Sequence, residues 1–382
     1  MGFLKKIFIP FILFLLLLQQ GCSLTIISIP VDQSAGKYAM YGKNAQRNFF
    51  TPKTVSDSLV SLWKNDGNGA FANTSVTICD SVVFVADLSG RVYAYNIYNG
   101  KELGQVKNKG AVYGAPIIKD SWLVYAVASF DDNESTLYLY HFTTGKIFRE
   151  EIIPGRVLTE LVKTEDGFVF ATEDGRVQKV GEYGLPKWDV NLDSYIHSSP
   201  VYKDGIVLIG NDKGEITAIN SEDGKIIYKK SIGSLFLGGG TIKGSLAYYG
   251  NYDGYIYAFD YKTGEVSWKF NSGAKILMTP ASDNNSIYVG NLNGDFYCLD
   301  KNTGLEKWKY KSAGLFNVSP LITNNLIFIP DMDRKIHLVH RTTGKLDKLI
   351  PLEGRAKLTP VLYKNVLFIG YDRGVVQAYE LK

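Results

Sequence analysis

Three cysteines and four histidines are the rarest reactive side chains in this 382-residue sequence. Cys79 and Cys298 fall in distant parts of the chain, and neither has an adjacent cysteine. His337 and His340 are three apart in a strand-like stretch, so they point to opposite faces and are poorly placed to share a metal. His141 and His197 are isolated. Asp131-Asp132-Asn133-Glu134 is an acidic insertion without the ligand spacing of a calcium loop, and it reads as a solvated turn. Most other aspartates fall in inter-strand turns, where a carboxylate accepts backbone N–H groups. Cys22 is different. It closes a stretch in which Lys5 and Lys6 precede the apolar run Ile7–Leu18. That run falls short of the roughly 20 apolar residues needed to span a bilayer, and it fits the core of a secretion signal.

The ending Gly21-Cys22-Ser23 resembles the lipobox of bacterial lipoproteins, although Gln19 stands where those motifs usually carry Leu. The resemblance implies removal of residues 1–21, acylation of Cys22 and, from Ser23, sorting to the outer membrane facing the periplasm. The alternative is an ordinary secreted protein with an unpaired cysteine.

The chain has 45% hydrophobic and 21% charged residues, which supports a large core and excludes a disordered chain. A net charge of +4 with the signs interspersed argues against nucleic acid as a partner. Abundant Gly, Tyr and Phe suit many short strands joined by tight turns.

Those strands are organised by a 40-residue period. NYDGYIYAFDYKTGEVSWKF (251–270) recurs as NLNGDFYCLDKNTGLEKWKY (291–310), NDKGEITAINSEDGKIIYKK (211–230) and DLSGRVYAYNIYNGKELGQV (87–106). Gly214, Gly254, Gly294 and Gly374 form one ladder, with Arg334 on the missing rung. Gly224, Gly264, Gly304 and Gly344 form a second, and Pro200, Pro280, Pro320 and Pro360 a third. Each unit parses into four strands separated by Asx-Gly turns, the pattern of a propeller blade. Eight units fit between residues 61 and 382, and the eighth lacks its last strand. The segment around Trp63 matches that missing strand. The expected fold is all-β: a single eight-bladed β-propeller of four-stranded antiparallel blades, closed by an N-terminal strand. Residues 22–60 read as a lipidated N-terminus and linker, so deletion of 23–57 should be tolerated.

The segment Ala258-Phe259-Asp260…Thr263-Gly264…Trp268, repeated as Cys298-Leu299-Asp300…Thr303-Gly304…Trp308, resembles the tryptophan-docking motif of PQQ-type propellers. Trp63 and Trp188 occupy matching sites, and the role implied for all four is structural. The lipobox-like start, the single eight-bladed ring and the N-terminal closing strand together resemble the BamB family of the outer-membrane β-barrel assembly machinery. Met40, Gly42, Arg47 and Pro52 also resemble a lead-in common among PQQ-like repeat lipoproteins, which keeps a generic member of that group open. The first resemblance implies a non-enzymatic, monomeric scaffold within a protein complex, held to the membrane by its lipid and using no cofactor. A ligand- or polysaccharide-binding propeller, or a dehydrogenase with PQQ and Ca²⁺, is the competing expectation; the adjacent cysteines common in the latter are missing here.

The connections between blades gather on one face. They are expected to bring Tyr113, Arg156, Tyr195, Phe236, Lys275, Phe316 and Arg355 to comparable positions, with Leu235 and Leu315 beside them. Aromatic anchors next to cations suit protein recognition. In the competing reading, the apolar members tuck between blades and the cations solvate the rim.

Overall fold

The computed structural model describes residues 26–32 and 34–382; the signal-peptide reading of residues 1–21 and the acylation reading of Cys22 lie outside them. Eight antiparallel sheets follow one another around a ring, as the 40-residue period predicts. Blade 6 is typical: Ala281–Ser282, Ser286–Gly290, Asp295–Asp300 and Glu306–Lys311 pair in sequence order. Blade 8 takes Ala356–Tyr363, Val366–Tyr371 and Val375–Leu381 from the C-terminus and Leu59–Asp66 from the N-terminus. The closing strand pairs Trp63 with Ala378, as Trp268 pairs with Ala258 and Trp308 with Cys298.

The turn between the second and third strands repeats because one side chain sets it. Asn291 Oδ1 accepts the N–H groups of Asn293 and Asp295, both at 3.0 Å, and Asp331 does the same for Asp333 and Lys335 at 2.9 Å. Such Asx bonding supplies the turn's backbone partners locally. It also throws the next residue but two into left-handed geometry: Gly294 has φ 76°, and Arg334 holds φ 63° on the rung where glycine is missing.

Four of the five tryptophans, Trp63, Trp188, Trp268 and Trp308, act at the seams between blades. Each ring lies on the turn glycine of the next blade, and its indole N–H donates to a carbonyl there. Trp63 bonds Ile97 O (2.9 Å), and Trp188, Trp268 and Trp308 bond Ser221, Lys301 and Arg341 O (3.0 Å each). A Cβ on Gly304 would sit 2.6 Å from the Trp268 ring, so this close approach requires glycine. Tyr228 performs the same task toward Gly264, bonding Tyr261 O at 3.1 Å, and the Arg149 stem packs over Gly184.

Residues 26–55 are a packed part of the ring, which corrects their reading as a linker. Blade 1 carries Gly104 at its docking position, and the gap is filled by the N-terminal chain. The Ile26 carbonyl lies where a Gly104 side chain would go, Ile27 is buried, and Tyr140 OH donates to Ile27 O at 2.6 Å. Lys37–Tyr38 then adds a fifth strand to blade 1. Residues 39–51 cross the axis, accepting the N–H groups of Ile118, Tyr202, Ile242, Ser282 and Ile322 at 2.8–3.0 Å through Ala39, Ala45, Gln46, Asn48 and Phe49. These bonds lie where the first strands approach their hairpin turns, so the segment plugs the turn end of the axial channel. Removing residues 23–57 would strip this plug, so the deletion is instead expected to destabilise the ring. The segment has no repeat, so the period that revealed the blades carried no information about it.

Candidate functional site: the connection face and the axial channel

The opposite end of the ring is where the blade-to-blade connections emerge. In each, one residue points outward and its carbonyl accepts an N–H from the turn of the blade that follows: Tyr195 from Asp212, Leu235 from Tyr252, Lys275 from Leu292, Leu315 from Met332, and Arg355 from Asp372. Arg156 occupies this position in blade 3, with Glu173 N–H as the donor. Tyr195 is 63% exposed, and Lys275 and Arg355 are also exposed.

The next residue in each connection turns inward. Phe236 and Phe316 are both fully buried, and this overturns their assignment as partner-binding residues. Each packs on the glycine ending its neighbouring second strand, where a Cβ on Gly210 or Gly290 would lie 2.8 or 2.6 Å away. Ile276 and Ala356 are their buried equivalents. Leu235 and Leu315 are the partly exposed members of those two connections. Tyr113 is out of phase in the other direction: it lines the channel mouth rather than the outer ring.

The outward cations are held by local partners. Lys275 Nζ donates to Tyr252 OH at 2.6 Å and stands 3.9 Å above that ring. Arg355 pairs with Asp372 at 3.1 Å. Arg156 lies 4.0 Å from Glu173, which lies 3.5 Å from His197, which in turn meets Asp212 at 3.0 Å. This chain of polar contacts runs along the mouth across blades 3 and 4. It holds its members in fixed orientations at modest electrostatic gain, since exposed ion pairs contribute little.

Inside the ring lies a cavity of about 440 Å³. Asn73, Tyr113, Leu158, His197, Leu237, Leu277, Asn317 and Lys357 contribute one side chain per blade to its wall. Sequence reading missed this set, although the same 40-residue step links 197, 237, 277, 317 and 357. Deeper in, Glu160 is buried. Its carboxylate accepts from Thr74 Oγ1 and from Ala115 N–H (2.8 Å). Burial pushes the acid up to about 7, against the pull of Arg47 and of its two hydrogen bonds. Arg47, 1% exposed, reaches from the plug toward Leu161 O and packs its guanidinium 5.3 Å from the Tyr41 ring.

This lining does not fit PQQ with Ca²⁺. Its only carboxylate is Glu160, whose two oxygens are both engaged, and no cluster of three metal-ligating side chains occurs among the described residues. The other reactive candidates have structural settings. His337 is buried between Tyr310 OH (2.7 Å) and Asp331 Oδ2 (2.8 Å), much as Tyr93 meets Asp87 in blade 1 (3.2 Å). Cys298 is a buried free thiol pushed up to about 11 by desolvation, and Cys79 is also buried and free. Asp131 and Asp132 are exposed in their turn.

The comparisons with known proteins follow this architecture. The chain is 25% identical over 202 residues to the outer membrane protein assembly factor BamB of Moranella endobia, covering 48% of this chain and 50% of that protein. It is 24% identical over 244 residues to the Escherichia coli K12 protein of the same name, covering 60% and 59%. The matches thus span only about half of the curated relatives. Among solved structures, BamB from Moraxella catarrhalis superposes with a TM-score of 0.72 at 18% identity, covering 85% of this chain and all of that one. A quinohemoprotein alcohol dehydrogenase from Comamonas testosteroni reaches 0.75 at 10% identity, covering 90% and 80%. At such identities the structural likeness shows the fold alone. The family model described as outer membrane protein assembly factor BamB matches residues 173–277 and 252–382, and with more than half of the sequence covered the chain belongs to that family.

Proposed function

We propose that this protein is a non-enzymatic scaffold that contributes to assembly of outer-membrane β-barrel proteins by binding protein partners through its connection face. The observation that carries this reading is the ring of outward side chains, Arg156, Tyr195, Leu235, Lys275, Leu315 and Arg355, presented by a rigid set of blades. Tyrosine and arginine are over-represented at the hot spots of protein interfaces. Family membership supports the same reading. The protein acts as a single propeller within a complex, on the periplasmic side of the outer membrane, held there by acylated Cys22. No helix among the described residues is long and apolar enough to cross a membrane.

Affinity capture of partners from detergent-solubilised envelopes tests the face. Tyr195→Ala, Lys275→Glu and Arg355→Glu should keep the wild-type melting temperature and weaken capture. An arginine anchor at the centre of the contact is worth about 2 kcal/mol, roughly a thirtyfold loss. Capture of barrel-assembly components at wild-type levels by all three variants would exclude the face.

Anchoring is tested separately. Cys22→Ser should move the protein from the membrane to the soluble periplasmic fraction. Absence of palmitate labelling in the wild type would remove the lipid anchor from the proposal.

A further inference from the structure

The rim of blades 2 and 3 carries an apolar cluster that the scaffold role leaves unused. Ile26 is 60% exposed and sits against Gly145, the turn residue that leads into exposed Ile147 and Phe148. The Phe148 ring lies 5.0 Å from Trp122 and 6.2 Å from Tyr183, and Leu185 is exposed two residues further on. Singly exposed aliphatic residues occur at the equivalent turns of other blades and need no explanation. Here Phe148 joins aromatic side chains of two blades, and Ile26 of the N-terminal segment lies against the turn from which Ile147 and Phe148 follow.

We propose that this rim rests on a lipid bilayer, with Ile26, Trp122, Ile147, Phe148, Tyr183 and Leu185 entering the headgroup region. The inference rests on the acylation of Cys22 proposed above. Cys22 precedes Ile26 by four positions, and an extended chain spans at most about 3.6 Å per residue, so an acylated cysteine lies within roughly 15 Å of Ile26. Ile26 in turn is fixed to the seam of blades 1 and 2: Ile29 N–H donates to Phe142 O at 2.9 Å and Ser28 Oγ to Thr143 O at 3.3 Å. The tether therefore delivers the bilayer to this edge of the ring and to no other. Tryptophan and tyrosine favour the membrane–water interface, where an apolar ring and a polar tip are both satisfied.

The surrounding charge is mixed. Lys119 pairs with Glu182 at 3.2 Å, and exposed Lys146 is offset by exposed Glu150. Contact therefore depends on the apolar side chains rather than on anionic lipid, and salt should leave it unchanged. The rim lies at the turn end of the ring, so the connection face points away from the bilayer.

The test uses the acylated full-length protein in vesicles of phosphatidylethanolamine and phosphatidylglycerol, with and without brominated acyl chains. Emission from Trp122, taken as the difference from Trp122→Phe, should be quenched by the brominated lipid at low and high salt. Phe148→Glu combined with Tyr183→Glu should abolish the quenching while flotation with the vesicles and the melting temperature persist. Wild-type protein that floats without quenching of Trp122 overturns the docking and leaves the anchor standing. Wild-type protein that fails to float overturns both. If Cys22→Ser instead dimerises with rising concentration and the same double variant prevents it, a second copy covers the face and the bilayer proposal falls.

Discussion

Trp63→Ala should lower the unfolding free energy of the entire ring by about 3–5 kcal/mol, the usual cost of truncating a packed aromatic side chain to alanine. Trp63 is buried, bonds Ile97 O, and stands between Tyr95 of blade 1 and Phe368 of blade 8, 6.0 Å from each ring centroid. It lies in the N-terminal strand that completes blade 8, where pairing of Leu59–Asp66 with Val375–Leu381 joins the two ends of the chain without a covalent link. Deletion of Leu59–Asp66 should be worse than the point change. It leaves Val375–Leu381 as an unpaired edge, and such edges invite intermolecular pairing. The check is denaturant unfolding monitored by tryptophan emission, with light scattering for the deletion. A Trp63→Ala midpoint equal to that of the wild type would show that the closing strand contributes little to cooperativity.

Stability should also fall as pH rises through neutrality, and Glu160→Gln should remove that dependence. The folded-state carboxyl is held near 7 by burial, against 4.5 when exposed. The folded protein therefore keeps the proton more tightly than the unfolded chain between these limits. The contribution is fully present below about pH 4.5 and is lost as pH passes 7. At about 1.4 kcal/mol per unit it amounts to roughly 3 kcal/mol by pH 8. The groups facing Glu160 are Arg47, Tyr38 and Tyr41, together with the Thr74 hydroxyl and the Ala115 N–H. Glutamine resembles the protonated acid, so wild type and variant should match at pH 5 and diverge at pH 8, with the variant the more stable. Thermal unfolding at several pH values decides it. Parallel curves would mean that Glu160 titrates with its unfolded-state value.

The blades were legible because their instructions are local and repeated. An Asx residue sets a turn, a glycine lets a neighbouring ring approach, and forty residues later the same requirement returns. The connection face was legible only in part. Advancing one residue along an extended chain reverses the side chain, so Leu235 and Phe236 have opposite fates though both are apolar. Period alone places the pair without choosing between its members. Burial against Gly210 makes the choice, and that contact crosses between blades. The N-terminal segment was hidden for a different reason. Arg47 looks like a surface cation in sequence, and only the convergence of eight first strands on one axis creates the enclosed site it fills. Gly104 carried a readable signal: a docking position with no side chain implies that something else fills the seam.

Because Leu59–Asp66 and much of the crossing segment before it find their partners on blades made later, these stretches are placed last although they are made early. Blade 8 cannot exist until its C-terminal strands are available, and the axial segment bonds to strands as far along as Ile322. Pairings between residues over 300 positions apart carry a large loop-closure cost and form slowly. A chain emerging N-terminus first would therefore hold these hydrogen-bonding groups unpaired through most of its synthesis. Until closure, Leu59–Asp66 and the part of the crossing segment that bonds to later blades would be open to chaperones and proteases, and ring completion would mark the moment at which that exposure ends.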